Sequence, residues 1–290
     1  MRLGVIGHTG YGALPEILRT LFAATPKLGI ELLFERALHE VAGAGSRLEM
    51  PSDVDALLTL GGDGTLLRGA RFLAGTPVPI LGVNLGRLGF LTTCQSDDLE
   101  AALQLLASGQ FEAQARMAIS GSAVDGHGAI RQSWLALNDF VLHKGGFARV
   151  VRLAISVNGD SIGTYAADGI IISTPTGSTA YSLSAGGPIV VPTVESIILT
   201  PISAHTLAVR PLVIPPDAEI AIEADEGSEE LLVTVDGQVG THLVAGEKLI
   251  VRRASEPVLI VRLPGSSFFD RMRVKLGWGG LPERDEPRQC

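Results

Sequence analysis

Residues 57–70, LLTLGGDGTLLRGA, carry an apolar strand into a glycine turn and on into a helical pattern, with Asp63 set among the glycines. Such a turn ordinarily receives phosphate, because unpaired backbone N–H groups and the helix dipole favour negative charge. A carboxylate there repels that ligand, so Asp63 is either a helix cap, worth about 1 kcal/mol, or a participant in chemistry on something phosphorylated. The local sequence leaves both readings open. It is not a Walker A loop, since no Gly-Lys-Ser/Thr follows, and it lacks the third glycine of the dinucleotide fingerprint. The helical pattern that follows puts Leu66, Leu67, Ala70, Leu73 and Ala74 on one stripe and Arg68 and Arg71 on another.

The same strand-turn-helix texture extends outward from this stretch. Up to about residue 110, RLGVIG, 14–24, IELLFE, a polar stretch, ALLTL, 65–74, VPILGVN and 97–107 alternate as strand and helix, which predicts βαβ units and a parallel sheet over 1–113. Beyond 115 the runs are short and β-rich, with turn signals between them; Asn158-Gly159 is a strong hairpin signal. The fold class expected is therefore an α/β N-terminal domain followed by an all-β layered sheet or sandwich over 114–265. SSFFDRMRVKLGW predicts a short helix from about 266, and LPERDEPRQC a frayed tail within 266–290.

Composition excludes several classes. The 290 residues are 46% hydrophobic and 19% charged with 35 glycines, as in a globular chain with many tight turns. A formal charge of −8 argues against nucleic acid or an anionic membrane as partner. Cys94 and Cys290 alone make no disulfide framework and point to a reducing, cytoplasmic setting. The start is too short in apolar residues for a signal peptide, and no run reaches the roughly 18 of a membrane span. The six histidines lack metal-site spacing, and Ser178 and Ser184 sit in no Gly-x-Ser-x-Gly elbow.

A second stretch, DGIIISTPTGSTAYSLSAGGPIV at 168–190, runs an apolar strand into small and hydroxyl residues around one aromatic, Tyr181. By composition it is a flexible loop or a segment that hydrogen-bonds a ribose and packs on a ring. Together with GGDGT at 61–65, NLGRLGFL at 84–91, LNDFVLHKG at 137–145, LTPISAHTLAVRPLVIP at 199–215 and FFDRMRVKLGWG near the end, it resembles the NAD kinase family across nearly the whole chain. GGDGT alone is shared with lipid kinases and, more distantly, phosphofructokinases; the Thr-Pro-Thr-Gly-Ser-Thr-Ala-Tyr segment is far more specific.

The resemblance implies transfer of the terminal phosphoryl of ATP to the adenosine ribose 2′-hydroxyl of NAD, with Mg²⁺ assistance, in a cytoplasmic homodimer or homotetramer. It also implies an active site between the domains and a last helix returning to the first. A poorly nucleophilic hydroxyl needs a carboxylate to accept its proton, the part the resemblance gives to Asp63. Gly61, Gly62, Gly64, Thr65 and Arg68 are expected on the phosphate-donor side, and Mg²⁺ is expected through the ATP phosphates rather than protein ligands. The NAD side is expected to comprise Gly64, Asn138, Asp139, Arg149, Ala166, Asp168, Thr179, Ala180, Tyr181, Ser182, Leu183, Ser184 and Gln238. Ala166 departs from relatives that carry a basic residue two before the Asp168-Gly169 pair, which predicts greater tolerance of NADH. The residues leave the donor open among ATP, other triphosphates and polyphosphate, since a backbone cradle reads phosphate better than base.

Overall fold

The structure is a computed structural model and describes residues 1–145, 151–205, 208–224, 231–244, 246–265 and 267–278. Arg149, Cys290 and the tail from 279 onward lie outside the described residues. In chain order the first elements are β1 (Arg2–Gly7), α1 (Leu14–Ala24), β2 (Glu31–Phe34), α2 (Arg36–Ala42), β3 (Ser46–Arg47), β4 (Ala56–Gly61), α3 (Asp63–Phe72), β5 (Ile80–Asn84), β6 (Cys94–Gln95), α4 (Leu99–Ser108) and β7 (Glu112–Arg116). There follow β8 (Ile119–Val124), β9 (Ile130–Ala136), β10 (Asp139–Lys144), β11 (Val151–Val157), β12 (Asp160–Ala167), β13 (Gly169–Ser173), α5 (Tyr181–Ser184), β14 (Ile197–Ile202) and β15 (Leu212–Ile214). The last are β16 (Ile220–Ala224), β17 (Leu231–Val235), β18 (Val239–Leu243), β19 (Lys248–Arg253), β20 (Val258–Arg262) and α6 (Phe268–Leu276). Two compact units result: one from 1–66, 80–113 and the chain from Val261 onward, the other from 67–79 and 114–260.

The first unit holds the parallel sheet expected from the alternation. Its order is β3-β2-β1-β4-β5-β20-β7 with β6 beside β5, and β1 pairs in parallel with β2 and β4, as β4 does with β5. Every residue of β4 and of β5 is buried, which is why both read as continuous apolar runs rather than alternating ones. The α1 stripe of Leu14, Ile17, Leu18 and Leu21 is buried as its spacing predicts. The helical pattern predicted to run to Ala74 stops at Phe72. Ala74, past the end of the helix, is exposed while Leu66, Leu67, Ala70 and Leu73 are buried. The polar stretch after IELLFE folds as α2, anchored by fully buried Leu38.

The second unit is built from two antiparallel six-stranded sheets, β15-β14-β13-β10-β17-β18 and β12-β11-β16-β19-β8-β9. One core draws Phe140, Leu142, Ile170 and Ile172 from the first sheet and Ile119, Leu153, Ile222 and Leu249 from the second, the arrangement of a sandwich. Contact between the layers is close at Gly121, where an added Cβ would stand 2.6 Å from the Phe140 ring. The Asn158-Gly159 hairpin forms as the dipeptide predicts, with φ of 52° and 84°, both left-handed as the tight turn requires. Among the described residues no helix is long and apolar enough to cross a membrane.

Candidate functional site

In the first unit, β4 delivers its C-terminal end to the glycine turn and α3 begins at Asp63. The carboxylate is held by a distant loop and not by the first turn of its own helix. Oδ2 accepts the Phe90 amide at 2.7 Å, while Oδ1 accepts the amides of Leu91 at 3.0 Å and Thr92 at 3.2 Å. Such a loop requires Gly89, because a Cβ there would overlap the Asp63 carboxylate. Buried Asn84 shapes the preceding turn: its side chain accepts the Gly86 amide at 3.1 Å and donates to the Gly86 carbonyl at 3.2 Å. A carboxylate offers about four lone-pair positions, so Oδ2, with one amide bond, keeps a position for a further hydrogen.

Helix α6 brings cations to the same loop. Lys275 Nζ lies 4.7 Å from the centre of the Phe90 ring, a cation–π contact, and Phe90 packs on Phe268 at 6.4 Å. Arg271 is buried, and its Nε has no hydrogen-bond partner. Burial and the Arg262 charge push the guanidinium down, and the Asp63 carboxylate pushes it back up. Sequence reasoning missed Arg271, which reads locally as an ordinary helix-surface arginine.

In the second unit, Asn138 and Asp139 form the corner at the start of β10. Three consecutive amides there donate to the Asp236 carboxylate: Leu137 at 3.1 Å, Asn138 at 2.7 Å and Asp139 at 3.1 Å. The Asn138 carbonyl is gripped from the other side by the Thr174 amide at 2.9 Å and the Ser173 hydroxyl at 3.2 Å. Asp139 is 3% exposed and Asp236 8%. Burial, with the Asp236 charge beside it, raises Asp139 to about 7. Burial raises Asp236 too, against the three amide bonds and the Arg71 charge, which lower it.

The 168–190 segment turns several of its hydroxyls inward and is not uniformly open to a ligand. Ser173, Thr174, Thr176, Ser178 and Ser182 are buried. Thr174 Oγ1 donates to the Leu137 carbonyl at 2.6 Å, Ser178 Oγ to the Pro175 carbonyl at 2.7 Å, and Ser182 Oγ meets Thr200 Oγ1 at 2.9 Å. These hydroxyls fasten the segment to itself and to its neighbours, so Ser182 shapes it from within. What it presents outward is Tyr181, 48% exposed, and Ser184, with Thr179, Ala180 and Leu183 half-buried.

Asp168 is ion-paired with Lys144 at 2.7 Å. Ala166 is half-buried on β12, opposite Arg152 of β11. Gln238 is exposed, and its Oε1 accepts Arg71 Nη2 at 2.6 Å, while Nη1 of that arginine is buried without a partner. Lys144, Arg71 and Asp236 were all missed by sequence reasoning. For Asp236 the available signal was its Asp-Gly dipeptide, which forms a hairpin turn with φ of 50° and 64°. No group of three or more His, Cys, Asp or Glu among the described residues is placed to hold a metal ion.

Residues 44–111 match the model of the ATP-NAD kinase N-terminal domain, and residues 137–263 that of the ATP-NAD kinase C-terminal domain. The NAD kinase of Gemmatimonas aurantiaca is 61% identical over 98% of this chain and 99% of its own length. That of Syntrophotalea carbinolica is 38% identical over 96% and 99%. Among solved structures, yeast NADH kinase complexed with NADH superposes with a TM-score of 0.86 at 26% identity, covering 97% of this chain and 89% of the yeast one. An NAD kinase from Archaeoglobus fulgidus in complex with ATP gives 0.74 at 27% identity, covering 96% and 98%.

Proposed function

The chain belongs to the NAD kinase family and phosphorylates NAD with ATP, and we propose that Asp63 is the base that accepts the proton of the adenosine ribose 2′-hydroxyl as NADP forms. The observation that carries this is the Asp63 carboxylate itself, oriented by three amides yet with Oδ2 bonded only once. Held in this way it costs no reorganisation when the hydroxyl arrives. Gly61, Gly62, Gly64 and Thr65, in the turn where β4 meets α3, take the donor phosphates, and Arg68 of α3 adds a cation. On the acceptor side Asn138 and Asp139 hold the adenosine part of NAD, and Asp168 with Lys144 orients the nicotinamide half. The outward residues of 179–184 and Gln238 supply further contacts, Tyr181 offering both a ring face and a hydroxyl; Arg149 belongs to this group by its position in the sequence.

Mg²⁺ is expected with the triphosphate, which suits an ion that keeps most of its waters and binds through phosphates. Homo-oligomeric assembly and a cytoplasmic setting belong to the same proposal. The test is NADP formation from ATP and NAD, read by an NADP-specific dehydrogenase. NADP that accumulates with both substrates, and with neither alone, supports it; its absence from folded protein overturns it.

A further inference from the structure

The Asp236 carboxylate does something that its Asp-Gly hairpin does not need. A two-residue turn with both residues left-handed closes on backbone geometry alone, and here the side chain leaves the turn to bond three amides 97 to 99 residues earlier in the chain. The return contact comes from the backbone, the Asp236 amide donating to the Asp139 carbonyl at 3.0 Å. Burying a carboxylate is costly unless it is hydrogen-bonded, and these three bonds persist only if Leu137, Asn138 and Asp139 keep this one conformation. The same corner is pressed from its other side, where a Cβ on Gly177 would overlap the Asn138 backbone.

We propose that Asp236 is a positioning residue for the acceptor nucleotide: through its three amide bonds it fixes the Asn138–Asp139 corner so that both side chains present to the substrate. This rests on the assignment of those two residues to NAD. The same carboxylate faces Asp139 electrostatically, and Arg71 of α3 faces Asp236 from the opposite sign. Burial does most to hold the Asp139 carboxyl up to about 7, and the Asp236 charge adds to it, so the neighbour's part of that shift is one that substitution can remove.

The test is steady-state kinetics of Asp236→Asn beside wild type, with KM for NAD and for ATP measured separately and kcat/KM for NAD followed from pH 5 to 9 (roughly the span around the Asp139 transition). An asparagine fills the space but carries no charge and accepts through one oxygen. The expected result is a KM for NAD raised roughly ten-fold or more with KM for ATP nearly unchanged, and a limb near neutral pH that moves to lower pH once the charge beside Asp139 is gone. A purely structural role predicts a lower melting temperature and a smaller active fraction, with both KM values and the pH limb in place, and that result overturns the proposal. If the variant does not fold, Asp139→Asn decides the matter: the neutral limb should vanish, and its persistence overturns the coupling. Wild-type turnover in the same assay separates the two failures, since an inactive wild type defeats the kinase reading and an active one leaves only the role of Asp236 at stake.

Discussion

The Phe90 amide donates to Asp63 Oδ2 at 2.7 Å across 27 residues of chain, which makes the loop after β5 and the first residue of α3 one structural piece. An aspartate that only capped its helix would spend its oxygens on the amides of its own first turn. Asp63 spends three acceptor positions on residues 90–92, so its orientation is set by a segment whose own shape depends on Gly89 and Asn84.

Gly89→Ala is accordingly a test that leaves Asp63 chemically intact. The added methyl overlaps the carboxylate, so it displaces either the loop or the base. A misplacement of about 1 Å at a reacting group can cost on the order of 10²-fold. The expected outcome is a fall in kcat of that size with KM for NAD little changed, checked by initial rates on protein of verified fold.

Tyr181→Ala probes the acceptor side. The ring is half exposed, so its removal should change the melting temperature little, as for most surface substitutions. It should raise KM for NAD several-fold and leave KM for ATP alone. Equal weakening toward both substrates would count against the placement of NAD on this segment.

A stability prediction comes from the sandwich, away from the chemistry. Arg131 clasps buried Glu247 through two bonds, Nε to Oε1 at 2.6 Å and Nη2 to Oε2 at 2.9 Å, and the Val244 amide adds a third at 3.1 Å. The Arg131 hydrogen bond is the main cause that lowers Glu247 below the usual glutamate range. A depressed carboxylate contributes stability that is full above its unfolded value and lost as pH falls through its folded one. Thermal melts should therefore show Glu247→Gln less stable than wild type at neutral pH, with the gap closing below about pH 4.

Ala166→Arg addresses the choice between oxidised and reduced acceptor. The oxidised nicotinamide ring is cationic and flat, the reduced one neutral and puckered, and alanine distinguishes neither charge nor shape. Introducing arginine on β12, where Arg152 already stands across the ladder, should shift the ratio of kcat/KM between NAD and NADH, within the roughly 10- to 200-fold that a pocket contact usually commands. An unchanged ratio in competition assays would place the selectivity elsewhere in the site.

What was legible in the sequence was what neighbours in the chain decide. Strand-helix alternation gave the parallel sheet, Asn158-Gly159 gave its hairpin, and the α1 stripe followed from its spacing. Helix α2 was not legible, because seven residues with one fully buried leucine carry too little periodicity to stand out among charges. Within the site, residue types were readable but their engagements were not. Asp236 looked like half of a turn, and only the fold brings it to Asn138. The hydroxyl-rich segment looked uniform, and only burial separates Ser178 and Ser182, bonded inward, from Tyr181 and Ser184, which face out. Arg271 had no local mark at all, since the carboxylate that faces it, Asp63, belongs to the far end of the chain.

The most direct test of the account is the turnover of Asp63→Asn with saturating ATP and NAD, measured beside its affinity for NAD. Asparagine keeps the size of the side chain and one acceptor oxygen, but it cannot take up the ribose proton, and its amide nitrogen opposes at least one of the three loop amides. The expected result is kcat lower by about 10²- to 10⁴-fold, NAD binding retained, and a modestly lower melting temperature from the lost loop bond. A variant with near-normal kcat, whatever its stability, would contradict it and leave Asp63 as a residue that only ties the loop to the helix.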